Sequence, residues 1–217
     1  MEVKLVSLQN IIESETKEDF NRNIKQFQED LKSSFKCAKN EEAVKFLLKK
    51  AINNEKHQLS RTYFIMPRGD FKILGFFTLS LKVININKLD KKIKKKMVCT
   101  GKSPDNIDYI PAYLIGQLAK NDLYSQNKKT NGNIKNDTTI TGEKLLLTAI
   151  DVIREIQKLV GGKIILVDSV TNEKSDGKVV DFYRKYGFTE YSEKIKTKDG
   201  KMLLPMSFIL DDFKPYK

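Results

Sequence analysis

The side chains that could move a proton in this chain are few and scattered. Tyr183 offers a phenol, His57 is the only histidine, and carboxylates stand at Glu143, Asp168 and Glu173. Such groups serve as acids and bases in transfer reactions. No pattern marks one of them as an unambiguous general base. A lone histidine is more often a surface or structural residue, so we expect no catalytic role for His57.

A second chemical feature is the start of a helix that could hold an anion. Thr141-Gly142-Glu143-Lys144 opens a segment whose apolar residues recur at gaps of three and four, and Gly161-Gly162 ends it. This spacing predicts an amphipathic helix. Its apolar face comprises Leu145, Leu146, Ala149, Ile150, Ile153, Ile156, Leu159 and Val160. A helix N-terminus presents free N–H groups and the positive end of its dipole, which suit phosphate.

Two apolar runs flank this helix and would position it. One covers residues 113–119, and the other is Ile164-Ile165-Leu166-Val167, which has no polar alternation. Such a run is typical of a strand buried on both faces and parallel to a neighbour. The pattern therefore predicts a right-handed strand–helix–strand crossover, with the helix start at the sheet edge where α/β folds bind ligands.

A second helix should follow the crossover. Ser175 or Asp176 could cap its N-terminus, and Gly187 would close it. Its apolar face would contain Val179, Val180, Phe182, Tyr183 and Tyr186. On this spacing alone, Tyr183 is a core residue that packs beside Phe182.

The remaining patterns predict mostly antiparallel elements. They are an opening strand over 1–9, helices over 17–36 and 41–52, a hairpin of 61–66 with 71–84, and closing strands over 188–193 and 203–210. Pro205 indicates an edge or a bulge in the last strand. A lysine-rich insertion at about 85–108 and a polar loop at about 121–139 interrupt these elements. Gly101-Lys102-Ser103 is not a phosphate loop, because Lys96 stands where the motif needs glycine and no strand leads into it.

Composition and charge narrow the class of protein. The chain has 217 residues, 40% of them hydrophobic and 31% charged, which suits one globular domain over 1–217. No apolar stretch approaches the roughly 20 residues that span a bilayer, and the first residues lack a signal core, so we expect a cytoplasmic protein without membrane contact. Cys37 and Cys99 lie outside any CxxC motif or Cys/His cluster, so we expect reduced thiols and no metal site.

The net charge of +12 has two readings. The first explanation is that the charge only keeps a lysine-rich protein soluble. The second, more specific explanation is that it attracts a polyanion, either the phosphates of a cofactor or a nucleic acid such as tRNA. Aromatic residues are not interleaved with the basic runs, so no platform for stacking single-stranded bases is expected.

The segment Val179-Val180-Asp181-Phe182-Tyr183-Arg184-Lys185-Tyr186-Gly187-Phe188 resembles the "FYxKxGF" ending of the GNAT superfamily of N-acyltransferases. The helix start Gly142-Glu143-Lys144-Leu145-Leu146 and Asn172 resemble that family too, and the likeness covers about residues 60–210. It implies an α/β (α+β) fold with a mixed, mostly antiparallel central sheet, a splayed parallel strand pair and flanking helices. It also implies transfer of an acetyl group from acetyl-CoA to a primary amine.

The resemblance further implies a set of site residues. The diphosphate of coenzyme A would rest on the backbone of Thr139, Ile140, Thr141, Gly142 and Glu143, with added charge from Lys144, while Leu118 and Ala119 would pair with the pantetheine arm and Asn172 would contact the cofactor. Of the family's glycine-rich loop only Gly142 is kept, and Asp137 stands where a basic or amide residue is expected. Tyr183 would protonate the departing thiolate, because a phenol of pKa ~10 is matched to a thiol of pKa ~8.5 or above.

Several acceptors remain open at this level. An ordinary amine of pKa ~10.4 pays about 4.6 kcal/mol to lose its proton at pH 7, whereas an α-amine of pKa ~8 costs about 1.4 kcal/mol. The absence of an obvious base favours an α-amine or proton removal through water. The acceptor could be a polyamine, another small amine, a protein N-terminus or, as in toxin-type GNAT proteins, an aminoacyl-tRNA. A non-catalytic acyl-CoA-binding or regulatory module is the alternative from another class, and the chain could be a monomer or a homodimer.

Overall fold

A computed structural model describes residues 2–98, 107–124, 140–171, 177–198 and 200–210. The described helices are α1 Leu8–Ile12, α2 Lys17–Ser34, α3 Glu41–Lys49, α4 Ala51–Lys56, α5 Lys91–Val98, α6 Gly142–Val160 and α7 Lys178–Lys185, with a 3₁₀ turn at Asp122–Tyr124. The described strands are β1 Val3–Ser7, β2 Arg61–Pro67, β3 Gly75–Asn85, β4 Tyr109–Lys120, β5 Ile164–Thr171, β6 Thr189–Glu190, β7 Ile195–Lys196 and β8 Met202–Ile209.

The described strands form one mixed sheet in the order β1-β2-β3-β4-β5-β8-β6, with β7 also paired to β8. β4 and β5 are parallel, whereas the pairs of β1 with β2, β2 with β3, and β8 with β5, β6 and β7 are antiparallel. This arrangement confirms the predicted mixed, mostly antiparallel sheet with one parallel pair. The chain divides into two compact units, residues 1–80 with 116–151 and residues 81–115 with 152–217.

The core of the first unit forms where α1 to α4 pack on one sheet face. Phe27 of α2 contacts Phe64 of β2 edge-on at 5.5 Å, and Phe35 contacts Phe76 of β3 in the same way. Buried Leu47 and Ala51 belong to the same apolar cluster. Caps define the helix starts, since Ser7, Thr16 and Asn40 each accept a backbone N–H three residues onward.

The core of the second unit lies under α5. Met97 and Val98 of this helix pack with Ile84, Leu166 and Tyr191. The apolar residues of α5 face this cluster, and its lysines lie on the remaining surface of the helix. Most of these lysines are exposed, as expected for a solvated helix face.

The crossover forms as the sequence indicates, with a glycine-based end. Gly161 and Gly162 have φ of +75° and +85°, the left-handed region that favours glycine at a helix end. Tyr113 of β4 fixes this end, because its hydroxyl donates to the Gly161 carbonyl and its ring lies 3.2 Å from where a Cβ of residue 162 would be. Leu159 and Val160 are 85% and 72% exposed, so the predicted apolar face stops before the last turn.

Several predicted boundaries differ from the structure. The opening strand ends at Ser7, because Ser7 caps α1. The helix predicted over 41–52 is broken at Lys50 into α3 and α4, and β3 begins at Gly75 rather than residue 71. The cap of α7 is Gly177, with φ of +70° and no side-chain cap, while the predicted caps Ser175 and Asp176 lie outside the described residues.

Pro205 has a regular pairing with β5 on one side of β8 and faces the interruption between β6 and β7 on the other. It pairs with Asp168 in an unbroken register from Ile164–Ile209 to Thr171–Met202. The Pro205 carbonyl accepts the Tyr191 N–H, on the side of β8 that faces β6 and β7. The Pro205 nitrogen points to that same side, between the residues of β8 that pair with β6 and those that pair with β7. Proline is tolerated there because no ladder bond needs its missing N–H.

Candidate active site

β5 pairs with β4 over only two residues. The parallel register joins Tyr113 to Ile165 and Leu114 to Leu166. β5 continues to Thr171 beyond these two pairs. From Val167 onward, that edge of β5 has no described strand partner, while its other edge stays paired with β8. Unpaired backbone at a strand edge can bond an extended ligand.

β4 is irregular just beyond the point where this pairing ends. The Gln117 N–H donates to the hydroxyl oxygen of Thr78 on β3 at 2.9 Å, so a side chain replaces a carbonyl as its partner. Gly116 makes room for this contact, because a Cβ there would lie 3.1 Å from the Thr78 hydroxyl. Gln117 immediately precedes Leu118 and Ala119, the predicted partners of the pantetheine arm.

The end of β4 is fixed next to the first turn of α6. A Cβ on Gly75 would lie 3.0 Å from both the Ala119 carbonyl and the Leu145 side chain, so the glycine permits a close approach of these two elements. Buried Asn121 secures the chain after β4, since its amide donates to the carbonyls of Ser34 and Ile73 at 2.6 and 2.8 Å. This role of Asn121 could not be predicted from the sequence, because its partners lie 87 and 48 positions away in the chain.

The Thr141 side chain and carbonyl cap the first turn of α6. The Thr141 hydroxyl accepts the Lys144 N–H, and the Thr141 carbonyl accepts the Leu145 N–H, both at 3.1 Å. The N–H groups of Gly142 and Glu143 have no partner within the described residues. Thr141, Glu143 and Lys144 are exposed, Gly142 is half-buried and Ile140 is buried. This helix start therefore keeps two backbone donors for an anion, with the Lys144 side chain exposed beside them.

Tyr183 lies on α7 in a cluster of aromatic rings. Its ring contacts Phe182 and Phe188 edge-on, at centroid distances of 5.3 and 5.5 Å. Its hydroxyl has no hydrogen-bond partner in the described part of the chain. Although the residue as a whole is half-buried, burial of the phenol raises the pKa of Tyr183 to about 12. The side chain thus packs through its ring and carries a protonated hydroxyl that has no partner among the described residues.

The ring cluster places Tyr183 on one face of β5. Phe188 contacts Phe208 of β8 at 5.3 Å, and Phe208 is the register partner of Ile165. Cross-strand partners share a face and side chains alternate along a strand, so Ser169 lies on this face too. The Ser169 hydroxyl is buried and has no hydrogen-bond partner among the described residues.

Asp168 lies on the opposite face of β5, two residues after Leu166. Its Oδ2 accepts a hydrogen bond from Lys82 Nζ of β3 at 3.2 Å. Its Oδ1 is buried and has no partner among the described residues. Tyr191 belongs to the apolar cluster on this face, and burial together with the negative charge of Asp168 raises the pKa of Tyr191 to about 12. The sequence indicated neither Lys82 nor Tyr191, because their contact with Asp168 is long-range.

Other predicted groups have structural roles or lie outside the described ranges. The ring Nδ1 of His57 lies 2.8 Å from the Asn53 carbonyl at the end of α4, an exposed helix-end position. Thr139 and Asn172, both predicted to bind the cofactor, and Glu173 lie outside the described residues. Within the described ranges no cluster of His, Cys, Asp or Glu could hold a metal ion, and no helix there is long and apolar enough to cross a membrane.

Solved structures share this fold. A bacterial toxin matches with a TM-score of 0.62 at 14% identity, over 96% of this chain and 90% of that chain. AtaT complexed with acetyl-methionyl-tRNAfMet matches with a TM-score of 0.57 at 18% identity, over 94% and 95% of the two chains. A tyrosine-to-phenylalanine mutant of the AtaT toxin, bound to acetyl-CoA and the C-terminus of the antitoxin AtaR, matches with a TM-score of 0.55 at 16% identity, over 96% and 93%. No protein-family model and no curated protein matches the sequence.

Proposed function

We propose that this chain, which has the GNAT fold, is an acetyl-CoA-dependent N-acetyltransferase that acetylates the amino group of an aminoacyl-tRNA. The observation that carries the proposal is the edge of β5 beyond Leu166, which has no described strand partner on the side where Ile165 and Leu166 pair with β4. An unpaired strand edge supplies backbone donors and acceptors to the amides of a pantetheine arm. The unpartnered hydroxyl of Tyr183 stands on a helix that packs against the same strand, β5.

The cofactor would use groups that have no partner among the described residues. Its diphosphate would accept the N–H groups of Gly142 and Glu143 at the start of α6, a position where the helix dipole favours negative charge. Lys144 would add a positive charge. The arm would extend along Leu118 and Ala119, whose strand has lost its regular ladder at Gln117. Thr139 and Asn172 remain part of this proposal on the resemblance alone.

Tyr183 would be the general acid that protonates coenzyme A as it leaves. A phenol of pKa 12 is about 3.5 units above an ordinary thiol, a gap of about 4.8 kcal/mol if the thiolate were in water. The same apolar surroundings that disfavour a phenolate also disfavour a thiolate, so they raise the pKa of both groups and narrow the gap. The raised pKa of Tyr183 also keeps its proton in place throughout the physiological pH range.

Charge and solved relatives of the fold support tRNA rather than a small amine as the acceptor. The chain carries a net charge of +12, and α5 alone contributes five lysines. Lys91, Lys92 and Lys95 of this helix are exposed. An α-amine on an aminoacyl ester also needs little help to lose its proton, which fits a site without a histidine base. One solved structure of this fold holds acetyl-methionyl-tRNAfMet.

Acetyl transfer with defined acceptors tests the proposal. The purified chain should transfer the radiolabelled acetyl group of acetyl-CoA to charged tRNA, and nuclease digestion should release an N-acetyl-aminoacyl adenosine. Uncharged tRNA is the matched control, because it has the same phosphates and lacks the amine. Transfer to spermidine but not to charged tRNA would contradict the proposed acceptor. Binding of acetyl-CoA without any transfer would favour the non-catalytic module.

A further inference from the structure

We propose that Asp168, held by Lys82, receives the acceptor's amino group: Asp168 Oδ1 accepts an N–H of that amine as it attacks the thioester. The proposal rests on the proposed acetyl transfer and adds the acceptor subsite to it. It starts from an unusual group, a buried carboxylate oxygen of Asp168 without a hydrogen-bond partner among the described residues. Buried polar atoms are nearly always paired, because an unpaired one loses its water without replacement.

The surroundings of Asp168 leave one oxygen for a ligand. Lys82 Nζ donates a hydrogen bond to Oδ2 at 3.2 Å and places a positive charge beside the carboxylate. Oδ1 retains its lone pairs, and an N–H donor is the group that would satisfy them. Tyr191, which is 7% exposed, lies on the same face of β5 as Asp168. Lys82 thus holds one oxygen of the carboxylate and leaves the other as a buried hydrogen-bond acceptor beside Tyr191.

The place of Asp168 on β5 fits the reaction. It is the second residue beyond Leu166, where pairing with β4 has ended. It faces away from α7, whereas Ser169 and the ring cluster of Tyr183 lie on the other face. An extended thioester bonded to this strand edge would therefore have its proton donor on one sheet face and the amine on the other. The two consecutive residues Asp168 and Ser169 each bring a polar atom without a described partner to this stretch.

The step is balanced without another reactant. The amine lone pair forms the new C–N bond while the C–S bond of the thioester breaks. One proton passes from the nitrogen to Asp168 Oδ1, and the departing thiolate takes the proton of Tyr183. Water then returns a proton to Tyr183 and accepts the one on Asp168. The products are the amide and free coenzyme A thiol.

Lys82 is a positioning residue in this scheme. Its side chain is 37% exposed and that of Asp168 is 28% exposed, so solvent screens the pair and its contribution to folding is small. Loss of Lys82 should leave the protein folded while freeing the carboxylate to rotate. Its removal should therefore raise KM for the acceptor more than it lowers kcat.

Steady-state kinetics of Asp168→Asn and Lys82→Met test the proposal, with charged tRNA varied at saturating acetyl-CoA. We expect Asp168→Asn to lower kcat/KM for charged tRNA about 100-fold, as for loss of a positioned proton acceptor. Lys82→Met should raise KM about fivefold to tenfold, and both variants should bind acetyl-CoA within twofold of the wild type. Asp181→Asn is the matched control, because it breaks an exposed ion pair with Arg184 at 3.0 Å.

The outcomes separate this inference from the proposed function. A wild-type rate of zero with charged tRNA would remove both. Normal wild-type transfer with Asp168→Asn within twofold of it would overturn the acceptor subsite alone. If Asp168→Asn does not fold, Lys82→Met decides, and an unchanged KM for charged tRNA in that variant would overturn the subsite.

Discussion

Replacing Tyr183 by phenylalanine removes one oxygen atom and leaves the ring packing in place. The contacts with Phe182 and Phe188 are made by the ring, at centroid distances of 5.3 and 5.5 Å. The hydroxyl has no hydrogen-bond partner within the described residues, so its loss leaves no group unpaired. Deleting an unpartnered hydroxyl is close to neutral for folding. We therefore predict an unchanged or slightly higher free energy of unfolding for Tyr183→Phe.

The effect on turnover should be large by comparison. Loss of a positioned general acid lowers rates by roughly 10² to 10⁴. We expect a tenfold to thousandfold fall in kcat, or about 1.4 to 4 kcal/mol of transition-state stabilisation. The lower part of the general range fits Tyr183, because a phenol of pKa about 12 is a weaker acid than an ordinary tyrosine. Affinity for acetyl-CoA should stay within twofold, since the hydroxyl acts on the leaving group.

The assay follows release of the coenzyme A thiol with charged tRNA at saturating concentrations of both substrates. Tyr186→Phe is the matched control, because Tyr186 closes the same helix and its ring lies 5.1 Å from that of Phe182. It should retain wild-type kcat. If Tyr183→Phe turns over within twofold of the wild type, Tyr183 is a packing residue and the proposed acid is wrong.

Three further predictions concern stability, nucleic-acid binding and packing. Burial raises the pKa of Tyr191 to about 12, so its contribution to stability is complete below pH 10 and is lost as the pH rises towards 12. In urea unfolding, the wild type should lose about 1.4 kcal/mol more free energy of unfolding than Tyr191→Phe between pH 9 and pH 11. Equal losses for the two proteins would contradict the burial of this phenol. The double variant Lys92→Glu/Lys95→Glu should weaken tRNA binding and flatten its dependence on salt by roughly one to two units of the log–log slope, whereas an unchanged slope would exclude α5 from the interface. Gly75→Ala would place a methyl group 3.0 Å from the Ala119 carbonyl, which should cost about 1 to 3 kcal/mol of unfolding free energy, and an unchanged melting temperature would show that the approach is loose.

Elements with a strong local period were predicted well from the sequence. Gly142 to Val160 shows the helical spacing over many turns and has a glycine pair at its end, so one interpretation fits. The four apolar residues that begin β5 are buried, and two of them, Ile165 and Leu166, pair in parallel with β4. In both segments the local signal and the tertiary environment agree, because the same apolar face that sets the period is the one that is buried.

The misses come from places where the local pattern is incomplete or misleading. The apolar spacing runs unbroken from Val44 to Ile52, which hides the break at Lys50 between α3 and α4. The lysine run of α5 is compatible with either a solvated helix or a loop, because it leaves only a few apolar residues to show a period. Asp168 and Lys82 lie 86 positions apart. Their pairing depends on strand order, which neither strand's own sequence encodes.

Binding of the acetyl-CoA diphosphate to the first N–H groups of α6 is the central step of the proposed function. Gly142 is the first residue of that helix, where proline is tolerated and removes the N–H donor. Calorimetric titration of the wild type, Gly142→Ala and Gly142→Pro with acetyl-CoA tests the claim directly. We predict one site per chain, with similar affinity for the wild type and Gly142→Ala and about tenfold weaker binding for Gly142→Pro, the loss expected for one hydrogen bond to a charged group. No heat of binding to the wild type, or equal affinities for all three proteins, would contradict the account.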